Sequence, residues 1–197
     1  MAHSKIACLT AALSFGAHLA CGAPTSQPRL DLQAAGQDTL WIAAVRNRSG
    51  SSLRVPGSNP LGSLAEMAGK VSSDYRPTVM DLMRESLKQE LVQRQAMVRF
   101  PEEAEARLGT LPGESEAAAR VAREGKLKGV LLLSEIRRWD VEAPGLVRLW
   151  VEFKLVRIAD GTLLWQRRVQ KAIAAPRAGN LAEVYQDAVK EVLREIF

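Results

Sequence analysis

The sequence predicts an α/β fold, a two-layer sandwich in which a mixed, mostly antiparallel sheet of about five strands carries helices on one face. Three observations predict it. Val147 to Ile158 alternates Val147, Leu149, Val151, Phe153 and Leu155 with Arg148, Trp150, Glu152 and Lys154, the period-two pattern of a half-buried strand. Segments beginning at Val79 and Leu181 repeat apolar residues at the 3.6-residue period of a helix. Helical stripes of this kind need a sheet face to bury against.

The elements follow in chain order. Thr39 to Arg46 reads as a first strand, apolar on both faces and therefore central. Asn47 to Arg76 is longer than a connection needs. It is rich in Ser, Gly and Arg to Ser58, and then sets Leu61, Leu64, Ala65, Ala68 and Val71 on one face of a short helix. Thr78 is placed to cap the next helix, where Val79, Leu82, Met83, Leu87 and Leu91 share a face through Arg94. Ala96 to Phe100 is a short strand, and Ser115 caps a helix that Gly125 stops. Gly129 to Val141 and Val147 to Ile158 are strands joined by a turn at Ala143 to Leu146. Ala159-Asp160-Gly161 fits a hairpin loop with Gly161 left-handed, which pairs Ile158 with Thr162, Leu155 with Trp165, Glu152 with Arg168 and Val151 with Val169. Asn180 caps a last helix with Leu181, Val184, Tyr185, Ala188, Val192 and Ile196 inward.

The N-terminus decides the compartment. Lys5 precedes an apolar stretch, Ile6 to Ala20, that ends at Cys21. Gly16 and His18 interrupt it, and it falls short of the roughly 20 apolar residues of a membrane span. A charge followed by such a stretch has the form of a secretory signal, and an ending at cysteine has the form of a lipidation signal. Cleavage before Cys21 makes residues 1–20 a signal peptide and leaves Cys21 for acylation. Residues 21–37 become a tether and residues 38–197 a single domain. Cleavage after Ala23 competes, with Pro24 a poor residue to follow it. At roughly 5–6 Å times the square root of its length, the tether lets the domain move about 20 Å from the membrane.

Removal of the leader takes both histidines, His3 and His18, together with Cys8. Histidine triads, His metal sites, Cys-His nucleophiles and an internal disulfide are then excluded. The formal net charge of +5 falls to +4 without Lys5. The basic residues are scattered and match no nucleic-acid module, so no nucleic-acid partner is expected. No phosphate-cradling glycine motif occurs, and no cofactor, metal or catalytic residue is expected.

Three candidate sites remain. Arg46 and Arg48, in Arg-Asn-Arg-Ser-Gly-Ser-Ser, could hold an anion through guanidinium and backbone N–H groups. Glu102, Glu103, Glu105, Glu114 and Glu116 could pair as glycosidase acids, without an aromatic sugar platform nearby. On the outward sheet face, a turn at Ala143 to Leu146 sets Trp139 opposite Trp150, Arg137 opposite Glu152 and Glu135 opposite Lys154, with Arg168 beyond. Exposed Trp beside Arg is the combination enriched where partners dock. Trp139, Trp150, Arg137, Glu152, Lys154 and Arg168 are therefore the expected partner contacts, with the Asn47–Val71 insert.

Three segments together carry a family resemblance. They are Trp-Ile-Ala-Ala-Val-Arg-Asn-Arg-Ser-Gly (41–50), Lys-Gly-Val-Leu-Leu-Leu-Ser-Glu-Ile (128–136) and Val-Glu-Phe-Lys-Leu-Val-Arg-Ile-Ala-Asp-Gly-Thr-Leu-Leu-Trp (151–165). The chain resembles small bacterial envelope lipoproteins with an α/β sandwich domain. These include the curli-secretion lipoprotein, the penicillin-binding-protein activator lipoproteins, the N-terminal domain of the Tol-system propeller protein, and lipoproteins found with transport operons. They share a first strand ending near Asn and a late strand pair closing with Gly-x-x-Leu-Trp, which Gly161, Leu164 and Trp165 match. The resemblance covers Leu40 to Phe197. It departs at Lys126-Leu127-Lys128, where a Gly-Ala-Asp-like turn is common. It implies a cell-envelope protein, held by a lipid anchor at the outer membrane and facing the periplasm. Its implied role is that of a non-enzymatic adaptor or accessory subunit of an envelope complex for transport, secretion or cell-wall synthesis. The alternatives are a self-assembling secretion-pore subunit, hence a homo-oligomer, and a secreted carboxylate-dependent hydrolase.

Overall fold

The computed structural model describes residues 29–30, 39–51, 53–55, 78–94, 98–99, 103, 108–109, 111–142, 146–174 and 181–197. Cys21, the leader, the Leu61–Val71 helix and the Asn180 cap lie outside the described residues. The elements are β1 (Leu40–Ile42), β2 (Arg46–Asn47), α1 (Val79–Gln93), β3 (Val98–Arg99), α2 (Ser115–Glu124), β4 (Val130–Glu142), β5 (Leu146–Arg157), β6 (Leu163–Ala174) and α3 (Leu181–Ile196). The sheet is ordered β3-β1-β4-β5-β6, with β2 also paired to β4. β1, β2 and β3 run parallel to their neighbours, while β4, β5 and β6 form an antiparallel meander. The expected α/β fold with a mixed sheet is the one that forms.

The helices form where the periodicity places them. Thr78 opens α1 with a capping box: its Oγ1 accepts from the Asp81 N–H at 3.2 Å, and Asp81 Oδ2 accepts from the Thr78 N–H at 2.8 Å. Val79, Leu82, Met83, Leu87 and Leu91 are the buried stripe of α1, as predicted. In α3 the buried set is Val184, Tyr185, Ala188, Val189, Val192, Leu193 and Ile196. Both stripes pack on the sheet face formed by Ile42, Leu132, Ile136, Leu149, Val151, Phe153 and Val169. Among the described residues no helix is long and apolar enough to cross a membrane.

The helices do not all share one face. Ala118, Ala119 and Ala122 of α2 pack against Trp41, Leu131, Leu133, Val156 and Ile158, which lie on the opposite side of the sheet. The strand order gives the reason. The chain crosses from β1 to β3 in one direction, then from β3 back past β1 to β4 in the other. Parallel crossovers are right-handed, so two that travel in opposite directions put their helices on opposite faces. The predicted Ser115 cap also shifts: Glu114 is the N-cap residue, makes no side-chain cap bond, and Ser115 is the first helical residue. At the other end Gly125 has φ −74°, and Lys126 takes the left-handed position at φ 60°. There the Leu127 N–H reaches the Ala122 carbonyl at 3.0 Å.

Three register details depart from expectation. The predicted first strand is two pieces, β1 and β2. Between them the chain takes four steps from Ile42 to Arg46 while β4 takes three from Leu132 to Glu135, so one residue is extra. The β5–β6 pairing follows the predicted Leu155 with Trp165, Glu152 with Arg168 and Val151 with Val169. Next to the turn it slips by one residue at Leu164, so the Thr162 carbonyl accepts from the Arg157 N–H (2.9 Å) and Thr162 does not pair with Ile158. Gly161 does take the left-handed conformation, at φ 77°. The third departure is a bulge at Arg137. β4 advances from Ile136 to Arg138 while β5 moves a single residue, from Val151 to Trp150. That reverses which side chains face outward beyond it.

Candidate functional site on the open sheet face

The sheet face opposite α1 and α3 has three zones along the strands. α2 covers the first. The second is ionic, with Glu135 and Glu152 directly opposite each other on β4 and β5. The third carries Arg138, Trp150 and Gln170 side by side across β4, β5 and β6, and no described element covers it.

The bulge builds the ionic zone. Two carboxylates paired across strands repel. Arg137, the extra residue, spans them: its Nε lies 2.6 Å from Glu135 Oε1, and its Nη2 donates to Glu152 Oε2 at 3.1 Å. Glu152 is 4 % exposed and also accepts from Arg168 Nε (3.0 Å) and Gln166 Nε2 (2.5 Å), with Lys154 Nζ at 3.8 Å. Burial pushes its pKa up. The hydrogen bonds from Arg168 and Arg137 and the charges of Lys154 and Arg168 outweigh that, and hold the carboxyl below its usual range.

From the β2 side, Arg48 Nε stands 4.0 Å from Glu135 Oε2, and Arg46 Nη1 donates to the Leu111 carbonyl at 3.4 Å. Gly113 closes over them: a Cβ there would lie 2.5 Å from Glu135 Oε2 and 2.8 Å from Arg46 Nη1. The free space among Arg46, Gly113, Ser134, Glu135 and Glu152 is about 10 Å³, close to the minimum for one water.

The open zone centres on Trp150, which is 36 % exposed. Arg138 and Gln170 flank it across the strands. Arg138 Nε bonds Asp140 Oδ2 at 2.5 Å, and Arg148 Nε lies 3.2 Å from Glu142 Oε1. Both ion pairs lie on β4 and β5 beside Trp150.

The structure brings Arg137, Glu152, Lys154 and Arg168 together, sets Trp150 on the same face in the adjoining zone, and adds Arg46 and Arg48 to the ionic cluster through Glu135. The expected cross-strand pairs are corrected, because Trp150 faces Arg138 and Glu152 faces Glu135. Trp139 is corrected too. It is 3 % exposed and meets Tyr185 of α3 edge-on at 5.6 Å, on the core side. There burial holds the Tyr185 phenol above its ordinary pKa, against a lowering contribution from Trp139. Of the Asn47–Val71 insert, the Asn47 side chain folds the first turn: its Oδ1 accepts from the Ser49 N–H and its Nδ2 donates to the Ser51 carbonyl. Sequence reasoning missed Gln166, Gly113 and Arg138. Gln166 was within reach, since the register that pairs Glu152 with Arg168 sets Gln166 opposite Lys154. Among the described residues no group of three or more His, Cys, Asp or Glu side chains could hold a metal ion.

The domain is thus an α/β sandwich with one covered and one partly open sheet face, and solved structures similar to it include lipoproteins of the type the sequence resembles. The lipoprotein GNA1162 from Neisseria meningitidis is 12 % identical, with 80 % of this chain and 99 % of that chain covered and a TM-score of 0.43. The PelC dodecamer from Paraburkholderia phytofirmans is 14 % identical over 87 % of this chain and 95 % of that chain, with a TM-score of 0.43. The LpoB C-terminal domain from Escherichia coli is 17 % identical over 71 % and 84 %, with a TM-score of 0.39. No protein-family model matches the chain, and no curated protein matches it.

Proposed function

We propose that this chain is a lipid-anchored accessory protein of the cell envelope. It is tied through Cys21 to the outer membrane on its periplasmic side, and it docks a protein of an envelope complex on the open face of its sheet without performing chemistry itself. The observation that carries this reading is Trp150, a large aromatic side chain left 36 % exposed on an uncovered sheet face beside Arg138, Arg148 and Arg168. Trp and Arg carry much of the binding energy where proteins dock. An acyl tether keeps the domain at the membrane, so a weak contact suffices there.

The ionic zone supports a structural role over an acid catalyst. A general acid must retain its proton near neutral pH, which calls for a raised pKa. Glu152 is held in the opposite direction, and the space beside it is no larger than a water.

Two variants test the reading in cells fed a fatty-acid analogue. Cys21→Ser is expected to lose the label and leave the membrane fraction. Trp150→Ala is expected to keep the label and lose roughly tenfold or more of the envelope protein that co-purifies in detergent, the effect of one docking residue worth about 1.4 kcal/mol. Unchanged co-purification by Trp150→Ala refutes the docking face, and an unlabelled wild-type chain refutes the anchor.

A further inference from the structure

At the end of the sandwich where β4 begins, a cavity of about 580 Å³ opens between the α2 C-terminal turn and the β5–β6 hairpin. Leu127 and Ile158, both buried, form its floor, and Arg123, Lys126, Lys128 and Arg157 stand at its rim. Two of these cations are partly engaged: Arg123 Nη1 donates to the Ile158 carbonyl at 2.7 Å, and Arg157 Nη1 lies 3.3 Å from Asp160 Oδ2. Asp160, Glu124 on the last turn of α2, and Glu116, which lies against Gly161 of the hairpin, are the acids of this region, three against the four cations. Lys126 and Lys128 are exposed, and among the described residues no carboxylate forms an ion pair with either. The rim therefore presents more positive than negative charge over an apolar floor.

The chain path says what this end faces. Leu30 is buried, and its N–H donates to the Ile196 carbonyl at 2.6 Å. The segment that follows Cys21 thus joins the domain at the C-terminal end of α3, well before the expected end of the tether at residue 37. α3 runs antiparallel to β6, since Lys171 Nζ meets Glu191 and Glu195 (3.6 and 2.6 Å) and Arg167 Nη2 bonds Glu195 Oε2 at 3.0 Å, so its C-terminal end points toward the start of β6. The start of β6 in turn adjoins the hairpin, whose Ile158 N–H bonds the Gly129 carbonyl at 3.0 Å. Chain entry and cavity therefore share one end of the domain. From Cys21 to Leu30 the chain reaches about 30 Å fully extended, and about 16 Å on average if flexible. The sandwich is longer, since the 13 residues of β4 span about 40 Å. An anchor at Cys21 keeps the cavity end toward the bilayer.

We propose that this cavity binds the phosphate of anionic lipid headgroups in the membrane that holds the anchor, an inference that rests on the Cys21 reading for its orientation. The exposed ammonium groups of Lys126 and Lys128 meet the phosphate, and the Leu127–Ile158 floor accepts the glycerol and first methylenes of the lipid. Each such cation at an anionic surface is worth about fivefold in affinity, and the attraction weakens as salt rises.

The test uses the processed protein purified from membranes and placed in nanodiscs of phosphatidylcholine alone or with phosphatidylglycerol. Lysine acetylation rates are then read by mass spectrometry. Lys126 and Lys128 are expected to react roughly fivefold or more slowly in the phosphatidylglycerol discs, with Lys190 reacting equally in both. Protection should fade in high salt. Equal rates for Lys126 and Lys128 in the two discs, with the protein retained by both, overturn the cavity assignment and leave the anchor standing. Protection as strong from inorganic phosphate in detergent also overturns it, since the ligand is then a free anion. Loss of the protein from phosphatidylcholine discs, with retention and protected lysines in phosphatidylglycerol discs, refutes the anchor and supports the cavity.

Discussion

The two outward tryptophans of the sequence reading separate into opposite roles, and replacing each by alanine measures the difference. Trp139 is 3 % exposed and holds Tyr185 edge-on at 5.6 Å with an interplanar angle of 85°. Truncating a buried Trp removes its transfer energy and leaves a cavity, typically costing about 3–5 kcal/mol, which includes the roughly 0.5–1.5 kcal/mol of an aromatic edge contact. For a domain of this size each kcal/mol moves the melting temperature by about 2–4 °C, so Trp139→Ala should lower it by about 6–20 °C. Trp150 is 36 % exposed and packs under no helix, so Trp150→Ala should lose only its cross-strand contacts with Arg138 and Gln170, about 1 kcal/mol, or about 2–4 °C. Thermal unfolding followed by far-ultraviolet circular dichroism, with urea unfolding as a second probe, reads both. A drop of under 2 °C for Trp139→Ala would show that the Arg137 bulge does not turn this side chain into the core. A large drop for Trp150→Ala would make that residue a packing element and remove the basis for docking.

Further outcomes follow from single residues. Because the folded-state pKa of Glu152 is lowered, its stabilisation is present above the ordinary Glu range and is lost as pH falls through the lowered value. Glu152→Gln should therefore cost about 1–3 kcal/mol in urea unfolding at pH 7, with the gap to wild type closing below about pH 4; a constant gap contradicts the ionic account. Lys126 holds φ 60° without being glycine, so Lys126→Gly should stabilise by about 1 kcal/mol, and a loss in the same assay contradicts the left-handed assignment. Gly129 has φ 108°, and a Cβ there would collide with the Thr39 carbonyl oxygen, which accepts the Val130 N–H. Gly129→Ala should cost about 2–4 kcal/mol, and a neutral result in urea unfolding would refute that close approach.

Local periodicity made much of this fold legible. The stripe from Val79 to Leu91 and the alternation from Val147 to Leu155 each bury one face, and burial enforces them. The β5–β6 register was readable because Glu152 meets Arg168 and Val151 meets Val169 in a single alignment. Two features depend on more than local pattern. The face taken by α2 follows from the order β3-β1-β4, which no segment encodes alone. The parity beyond Ile136 depends on the bulge, and its sequence trace is slight: two adjacent exposed arginines, Arg137-Arg138, where strict alternation would bury one. Continuing that alternation from Glu135 turns Trp139 outward, and the error carries into the candidate site. The merging of Arg46 and Arg48 with Glu135 was also hidden, because it rests on a parallel pairing between chain segments about 90 residues apart.

Photo-crosslinking in intact cells tests the docking face most directly, with a photoreactive amino acid at position 150 and, as controls, at positions 139 and 190. Position 150 is predicted to give a discrete adduct with an envelope protein that neither control gives. No adduct from position 150, or the same adducts from position 190, would contradict it.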